Sequence, residues 1–174
     1  TTDTTFRFAN VVRQGLAAGE TNEQIVARVA GSPRKGLPGI MEVARSNARA
    51  LVHTSIQAVA NESRMETYRK NARDYRAVQW LATLDQSTCL ICAPRDLKEY
   101  TLDGEPIGHD LAWDGGPGVI HWGCRCVAVG LAKPIALRGG GALKIPVGQR
   151  ASDIGPVRGD TDFEAFLKRK GRAF

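Results

Sequence analysis

Residues 83–127 read TLDQSTCLICAPRDLKEYTLDGEPIGHDLAWDGGPGVIHWGCRCV. All four cysteines of the chain lie here, in two short clusters. Cys89 and Cys92 form a C-x-x-C pair; Cys124 and Cys126 form a C-x-C pair, with His121 shortly before them. A zinc ion wants about four sulfur or nitrogen ligands at roughly 2.0–2.3 Å, arranged as a tetrahedron. A C-x-x-C turn supplies two thiolates from one side, and a second cluster across a loop closes the tetrahedron. The spacing therefore predicts a closed, structural zinc site drawn from Cys89, Cys92, His121, Cys124 and Cys126. Five candidates compete for four places: Cys89, Cys92 and Cys124, with either Cys126 or His121. Buried free thiols and disulfides between the clusters are the alternatives, the second disfavoured in a reducing cytoplasm.

A catalytic reading of the same cysteines fits poorly. Zinc deaminases carry H-x-E ahead of P-C-x-x-C. Here His53 precedes Thr54-Ser55, His109 precedes Asp110-Leu111, and His109 and His121 both follow the C-x-x-C. A nucleophile pair such as Cys89 with His121 needs a lone reactive thiol, whereas these cysteines come in ligand-like pairs. Gly139-Gly140-Gly141 lacks the Gly-Lys-Ser/Thr ending of a phosphate-binding loop. Asp85 reads as the cap of the turn before Cys89, with an acceptor that orients a metal ligand as the alternative. Arg125, between two ligand candidates, is expected to point away from the metal towards a carboxylate or a phosphate.

The order of these landmarks resembles the phage head morphogenesis family, the minor head proteins typified by the F protein of phage Mu. The matching residues are Trp80, Leu84, Asp85, Thr88, Cys89, Cys92, Asp103, Gly104, Pro117, His121, Cys124, Arg125 and Cys126. The family often has Pro-Asn between the His and the Cys; Trp122-Gly123 stands there in this chain. The resemblance is strong over the middle third and weaker over the residues before it. It implies a minor head protein of a tailed phage, bound to the portal inside the capsid and acting in head assembly and DNA packaging or delivery. The partners it implies are the portal protein, other head proteins and packaged double-stranded DNA. The location it implies is the virion, in the capsid interior near the portal, after assembly in the host cytoplasm. Two other readings stand beside it: a zinc-containing nucleic-acid-binding module, and a phage-encoded enzyme or toxin-related domain.

The 174 residues suffice for one domain with a small appendage. No apolar run reaches the ~18 residues of a membrane helix, and no membrane partner is expected. The net charge of +6 is unevenly spread. Residues 1–82 hold 12 Lys/Arg against 7 Asp/Glu, residues 83–137 hold 4 against 7, and residues 138–174 hold 8 against 4. Basic flanks can meet phosphate backbones by counterion release, although solvated surface charge is the simpler reading. Candidate contacts to nucleic acid or a partner are Arg34, Lys35, Arg125, Arg138, Lys144 and Arg150.

The expected fold is α+β. Residues 1–75 form a helical part, 76–132 a β-rich Cys/His module, and 133–174 an extended basic arm with a short terminal helix. Residues 1–30 read as two helices parted at Gly19, the second opened by a Thr21…Gln24 capping box. Residues 31–39 form a Gly/Pro loop. Residues 40–72 read as one long helix whose apolar stripe runs through Ala48 and Val52 and then restarts out of phase at Met65 and Tyr68. That shift predicts a bend near Asn61 or packing on two different partners. His53, alone on this helix, reads as a packing or surface residue. Strands are expected at 76–84, 100–102 and 127–131, with an irregular loop over 104–120. Residues 133–160 are rich in Gly and Pro but interleaved with apolar residues. They are expected to be extended but docked on the helical part or the portal, gaining order only in the assembled particle. A short amphipathic helix opens at Thr161-Asp162-Phe163-Glu164 and reads as unfinished at Phe174.

Overall fold

A computed structural model describes residues 2–135 and 147–171. The chain begins with helices α1 (Thr2–Ala17) and α2 (Asn22–Ala30). The capping box forms as the sequence predicts. The Thr21 N–H donates to Gln24 Oε1 at 2.7 Å, and the Gln24 N–H donates to Thr21 Oγ1 at 3.4 Å. Together these satisfy two of the N–H groups that a helix start leaves unpaired. Val12 on α1 and Ile25, Val26 and Val29 on α2 bury their apolar sides against Ala48 and Val52 of the long helix.

That helix, α3, spans Arg45–Lys70 and starts five residues later than the apolar pattern suggests. The reason is a competing use of the backbone. The Ile40 and Met41 N–H groups donate to the Arg28 and Val29 carbonyls at 3.2 and 3.0 Å, pairing the orphan acceptors at the end of α2. The chain is thereby laid against the end of α2, and the helix opens only after Ala44, whose ψ of 139° is not helical. The out-of-phase stripe resolves as two packing partners. The first half of α3 faces the helices, while Met65 and Tyr68 face the β module.

The module is an antiparallel sheet of order β3-β2-β1-β4. Its strands are β1 (Tyr75–Leu81), β2 (Glu99–Tyr100), β3 (Pro106–Ile107) and β4 (Val127–Ala132). Trp80 sits opposite Ala128, and Val78 opposite Tyr100. The β3 strand was expected to be loop. Thr101 builds the hairpin that makes it: its Oγ1 accepts from the Glu105 N–H at 3.0 Å and from the Asp103 N–H at 3.3 Å. Trp80, Tyr100 and Trp113 fill the centre, with ring centroids 4.9–6.2 Å apart.

The described part of the arm is folded within the chain, which corrects the expectation that it gains order only in a particle. Strands β5 (Gln149–Arg150) and β6 (Val157–Arg158) pair as a hairpin, and helix α4 (Phe163–Arg169) follows, N-capped by Asp162. Val157, Phe163 and Phe166 bury themselves against Leu84 and Ala93, so the dock is the Cys/His module and not the helical part. Arg150 inserts between them. It donates to Asp96 Oδ1 at 2.9 Å, to Asp96 Oδ2 at 3.0 Å, to the Thr161 carbonyl at 3.1 Å and to the Ala82 carbonyl. Burial raises the Asp96 carboxyl above its ordinary range, and the Arg150 guanidinium opposes that rise.

Candidate metal centre

The first donor pair sits on a single helical turn. The Cys92 and Ala93 N–H groups both donate to the Cys89 carbonyl, at 3.1 and 3.0 Å. Asp85 sets up that turn. Its Oδ1 accepts from the Ser87 N–H at 2.8 Å, a turn closed through a side chain. The same carboxylate receives a two-pronged contact from Arg125, with NH2 to Oδ1 at 2.8 Å. Arg125 therefore points away from its cysteine neighbours and ties the second cluster to the first. Its guanidinium holds the Asp85 carboxyl below the usual range.

The second cluster is held by α3. The Gly123 N–H donates to Thr54 Oγ1 at 2.9 Å, and the loop before it lies against Asn61. Asn61 is almost fully buried. Its amide donates to the Pro117 carbonyl at 2.7 Å and the Cys126 carbonyl at 3.4 Å, and its Oδ1 accepts from the Ala128 N–H at 3.1 Å. Gly118 lets helix and loop meet. It has φ +82°, and a Cβ there would stand 2.7 Å from Asn61 Nδ2 and 3.1 Å from the Gln57 backbone. Arg95 pins the far side. It donates to the Ile91 carbonyl at 2.7 Å, to the Ala112 carbonyl at 3.2 Å and to Asp114 at 3.0 Å, beneath the Trp80 ring.

These supports bring all five predicted donors together in two triads that share Cys92. In one, His121 Nε2 lies 3.1 Å from Cys92 Sγ and 3.3 Å from Cys89 Sγ. In the other, Cys92 Sγ lies 3.8 Å from Cys124 Sγ, with Cys126 alongside. Two thiolates on one tetrahedral zinc stand about 3.8 Å apart, given a bond of about 2.3 Å. His121 Nδ1 lies 2.9 Å from the Trp122 carbonyl. That contact suits an N–H at Nδ1 and leaves the Nε2 lone pair facing the sulfurs, the orienting device usual for a metal-bound imidazole. A cavity of about 20 Å³ is lined by Cys89, Cys92, His121 and Cys126 among others, room for a single small occupant. The geometry makes Cys92 the donor common to both triads, with Cys89 and His121 on one side of it and Cys124 and Cys126 on the other.

The donors' chemistry fits a cation. Cys92, Cys124 and Cys126 are buried together, and three thiolates so close repel one another. Hydrogen bonding to Cys124 and burial drive the Cys92 thiol far up. Hydrogen bonds from Cys126 and Cys92 pull Cys124 down to about 2, and contact with Cys124 raises Cys126 to about 11. Three thiolates cannot share so small a buried space without a positive charge, and a divalent ion would let the thiols ionise together. The Trp80 indole N–H is also buried without a full hydrogen-bond partner, beside the Cys126 sulfur.

The other sequence candidates are scattered. Arg34 and Lys35 stand exposed on a short 3-10 turn far along the chain from the cluster. Arg150, expected at a partner surface, is committed to Asp96 and has only 10% of its side chain exposed. Arg138 and Lys144 lie outside the described residues. His53 is half-buried on α3 and joins neither triad. Sequence reasoning missed Arg95, which carries no local signal, and the partners of Asn61, although the phase shift of the stripe pointed to that residue.

Among the described residues, no helix is long and apolar enough to cross a membrane. No curated protein and no solved structure matches this chain. One family model does, that of the Phage Mu protein F like proteins, over residues 7–129. The match takes in most of α1, all of α2 and α3, the sheet up to the middle of β4 and every candidate donor, and covers more than two thirds of the chain. The chain therefore belongs to the phage Mu F-like family of phage head proteins.

Proposed function

We propose that this protein is a minor head protein of a tailed phage, seated at the portal inside the capsid, where it serves head assembly and the packaging or delivery of DNA. The family match carries this reading. The charge distribution supports protein docking over binding to DNA by charge alone. Many N-terminal arginines are already paired: Arg28 with Glu20, Arg45 and Arg49 with Glu23, Arg69 with Glu62, Arg76 with Glu99. Exposed apolar groups offer a different surface. Val119 and Trp122, 49% and 69% exposed, edge a groove of about 590 Å³ that Thr54, Ser55 and Ala58 line from α3. Contacts made there depend weakly on salt, whereas phosphate contacts weaken steeply with it.

In the same reading the cation is zinc, and its role is structural. Buried thiols and an oriented imidazole suit that ion, and four protein ligands leave no open position for substrate. No catalytic role is assigned to the chain. Elemental analysis of purified protein is expected to find close to one zinc per chain, and X-ray absorption to count its sulfur and nitrogen neighbours. Particle imaging with a labelled chain tests the location. Density beside the portal supports the reading, and a tail or outer-surface position refutes it. Portal binding that falls steeply with salt would favour the nucleic-acid-like module instead.

A further inference from the structure

The turn that carries Cys92 has a second face. Cys92 points its sulfur into the donor cluster, while Ala93, the next residue, belongs to the apolar cluster formed by Val157, Phe163 and Phe166 of the arm. The turn is tight. The Arg95 N–H donates to the Cys92 carbonyl at 3.1 Å, and the Asp96 N–H to the Ala93 carbonyl at 3.2 Å. Asp96, at the end of it, receives Arg150, and the Asp153 N–H donates to the Leu84 carbonyl at 3.0 Å just ahead of it. Every anchor of the arm named here therefore falls on residues 82–96, the segment that also presents Cys89 and Cys92.

We propose that this segment is a common wall between the metal and the C-terminal arm, so that loss of the ion releases residues 149–169 from the module. The inference rests on the metal reading above. Its physical basis is the absence of regular structure there. Residues 83–92 contain no strand; beside the donor cluster and the arm, their order comes from the Asp85 turn with Arg125 upon it and from the Arg95 contact to the Ile91 carbonyl. Without the ion, the turn loses the bonds that hold Cys89 and Cys92 to the second cluster and its pull towards His121. Ala93 and Asp96 then no longer hold the positions that Phe166 and Arg150 require. The coupling is reciprocal by thermodynamic necessity: an arm that stabilises the turn also tightens the metal. The released arm would expose Phe163, Phe166 and Arg150.

The experiment uses the full chain, with amide exchange and limited trypsin cleavage followed with zinc bound, after chelation, and after zinc is restored. Chelation is expected to speed cleavage at Arg150 and Arg158 by roughly 5–150-fold, the usual range of such couplings. Restored zinc should reverse it. Amides of residues 25–52 serve as the internal control and should keep their protection. In the converse arm, Arg150→Met is expected to weaken zinc binding, and Phe166→Ala gives a second, independent lesion. Zinc bound at one per chain with equal arm protection in both states overturns the inference while leaving the metal reading intact. Failure of the wild-type chain to bind zinc defeats both. Protection lost equally over residues 25–52 means global unfolding and also overturns it.

Discussion

Replacing Asn61 should be among the most damaging single changes in the chain. The side chain is 4% exposed and bridges three segments. Asn61→Ala leaves the Ala128 N–H on β4 and the Pro117 carbonyl on the loop without partners in a buried site. Each orphaned polar group costs about 1–3 kcal/mol, so a loss of roughly 2–6 kcal/mol is expected. In a domain of this size that is a drop in Tm of about 4–24 °C, at about 2–4 °C per kcal/mol. Asn61→Asp sharpens the argument. It keeps an acceptor for Ala128 but sets a carboxylate against the Pro117 oxygen. Burial and that oxygen raise the new carboxyl in the folded state above its unfolded value near 3.9, against the pull of the Arg64 guanidinium, which donates to the Asn61 Oδ1 at 3.2 Å. A raised carboxyl destabilises the fold once ionised, so the penalty is full at neutral pH and fades as pH falls through the raised value. There the protonated oxygen can donate to Pro117. Urea unfolding of wild type, Asn61→Ala and Asn61→Asp at pH 7 and pH 5 measures both effects. A loss below about 1 kcal/mol for Asn61→Ala, or a pH-independent penalty for Asn61→Asp relative to wild type, would refute the reasoning.

Gly118→Ala should be costly despite adding one methyl, because φ +82° strains an L-residue and the new Cβ meets Asn61 and Gln57; thermal melts should show a loss of at least about 1–2 kcal/mol. Arg150→Met strands the buried Asp96 carboxylate, and about 3–5 kcal/mol should be lost at neutral pH by denaturant titration, with Asp96→Asn recovering most of it in the double variant. Glu23, held down to about 2 by Arg49 and Arg45, has a depressed folded value. Whatever it contributes is present above the ordinary carboxylate range and disappears as pH falls through about 2; its carboxyl resonance, followed by NMR, should therefore titrate below those of unpaired glutamates.

What was legible in the sequence is what is local or chemically unusual. The Thr21…Gln24 box depends on residues three apart and formed as read. The donor clusters were legible because Cys and His at such spacing have few competing uses. The remainder depends on distant partners. Asn61 bonds to atoms 56 to 67 positions away, and Arg150 to Asp96 across 54. No propensity encodes such a pairing. The start of α3 was misplaced because the apolar period continues through Ile40 and Ala44, while the backbone there is claimed by the end of α2. The arm looked loose because its composition is loose. A hairpin of two-residue strands and one guanidinium proved enough to seat it, given a ready-made wall.

The path of the chain also fixes an order of completion. The cluster of Val12, Ile25, Val29 and Val52 is built from residues near one another in sequence, so a chain emerging from a ribosome can close it early. Strand β1 must wait longer, since one of its edges is covered only when residues 127–132 arrive. Asp96 waits longest of all. Until Arg150 has been synthesised, its carboxylate has no counter-charge and keeps its water, and the surface that will receive Phe166 stays wet and exposed. The most deeply buried ion pair that the structure describes is therefore also the one whose partners lie farthest apart in the sequence. An interrupted or slowly finished chain would pause with its head module assembled and that single face open, the state in which it is most susceptible to capture by another sticky surface.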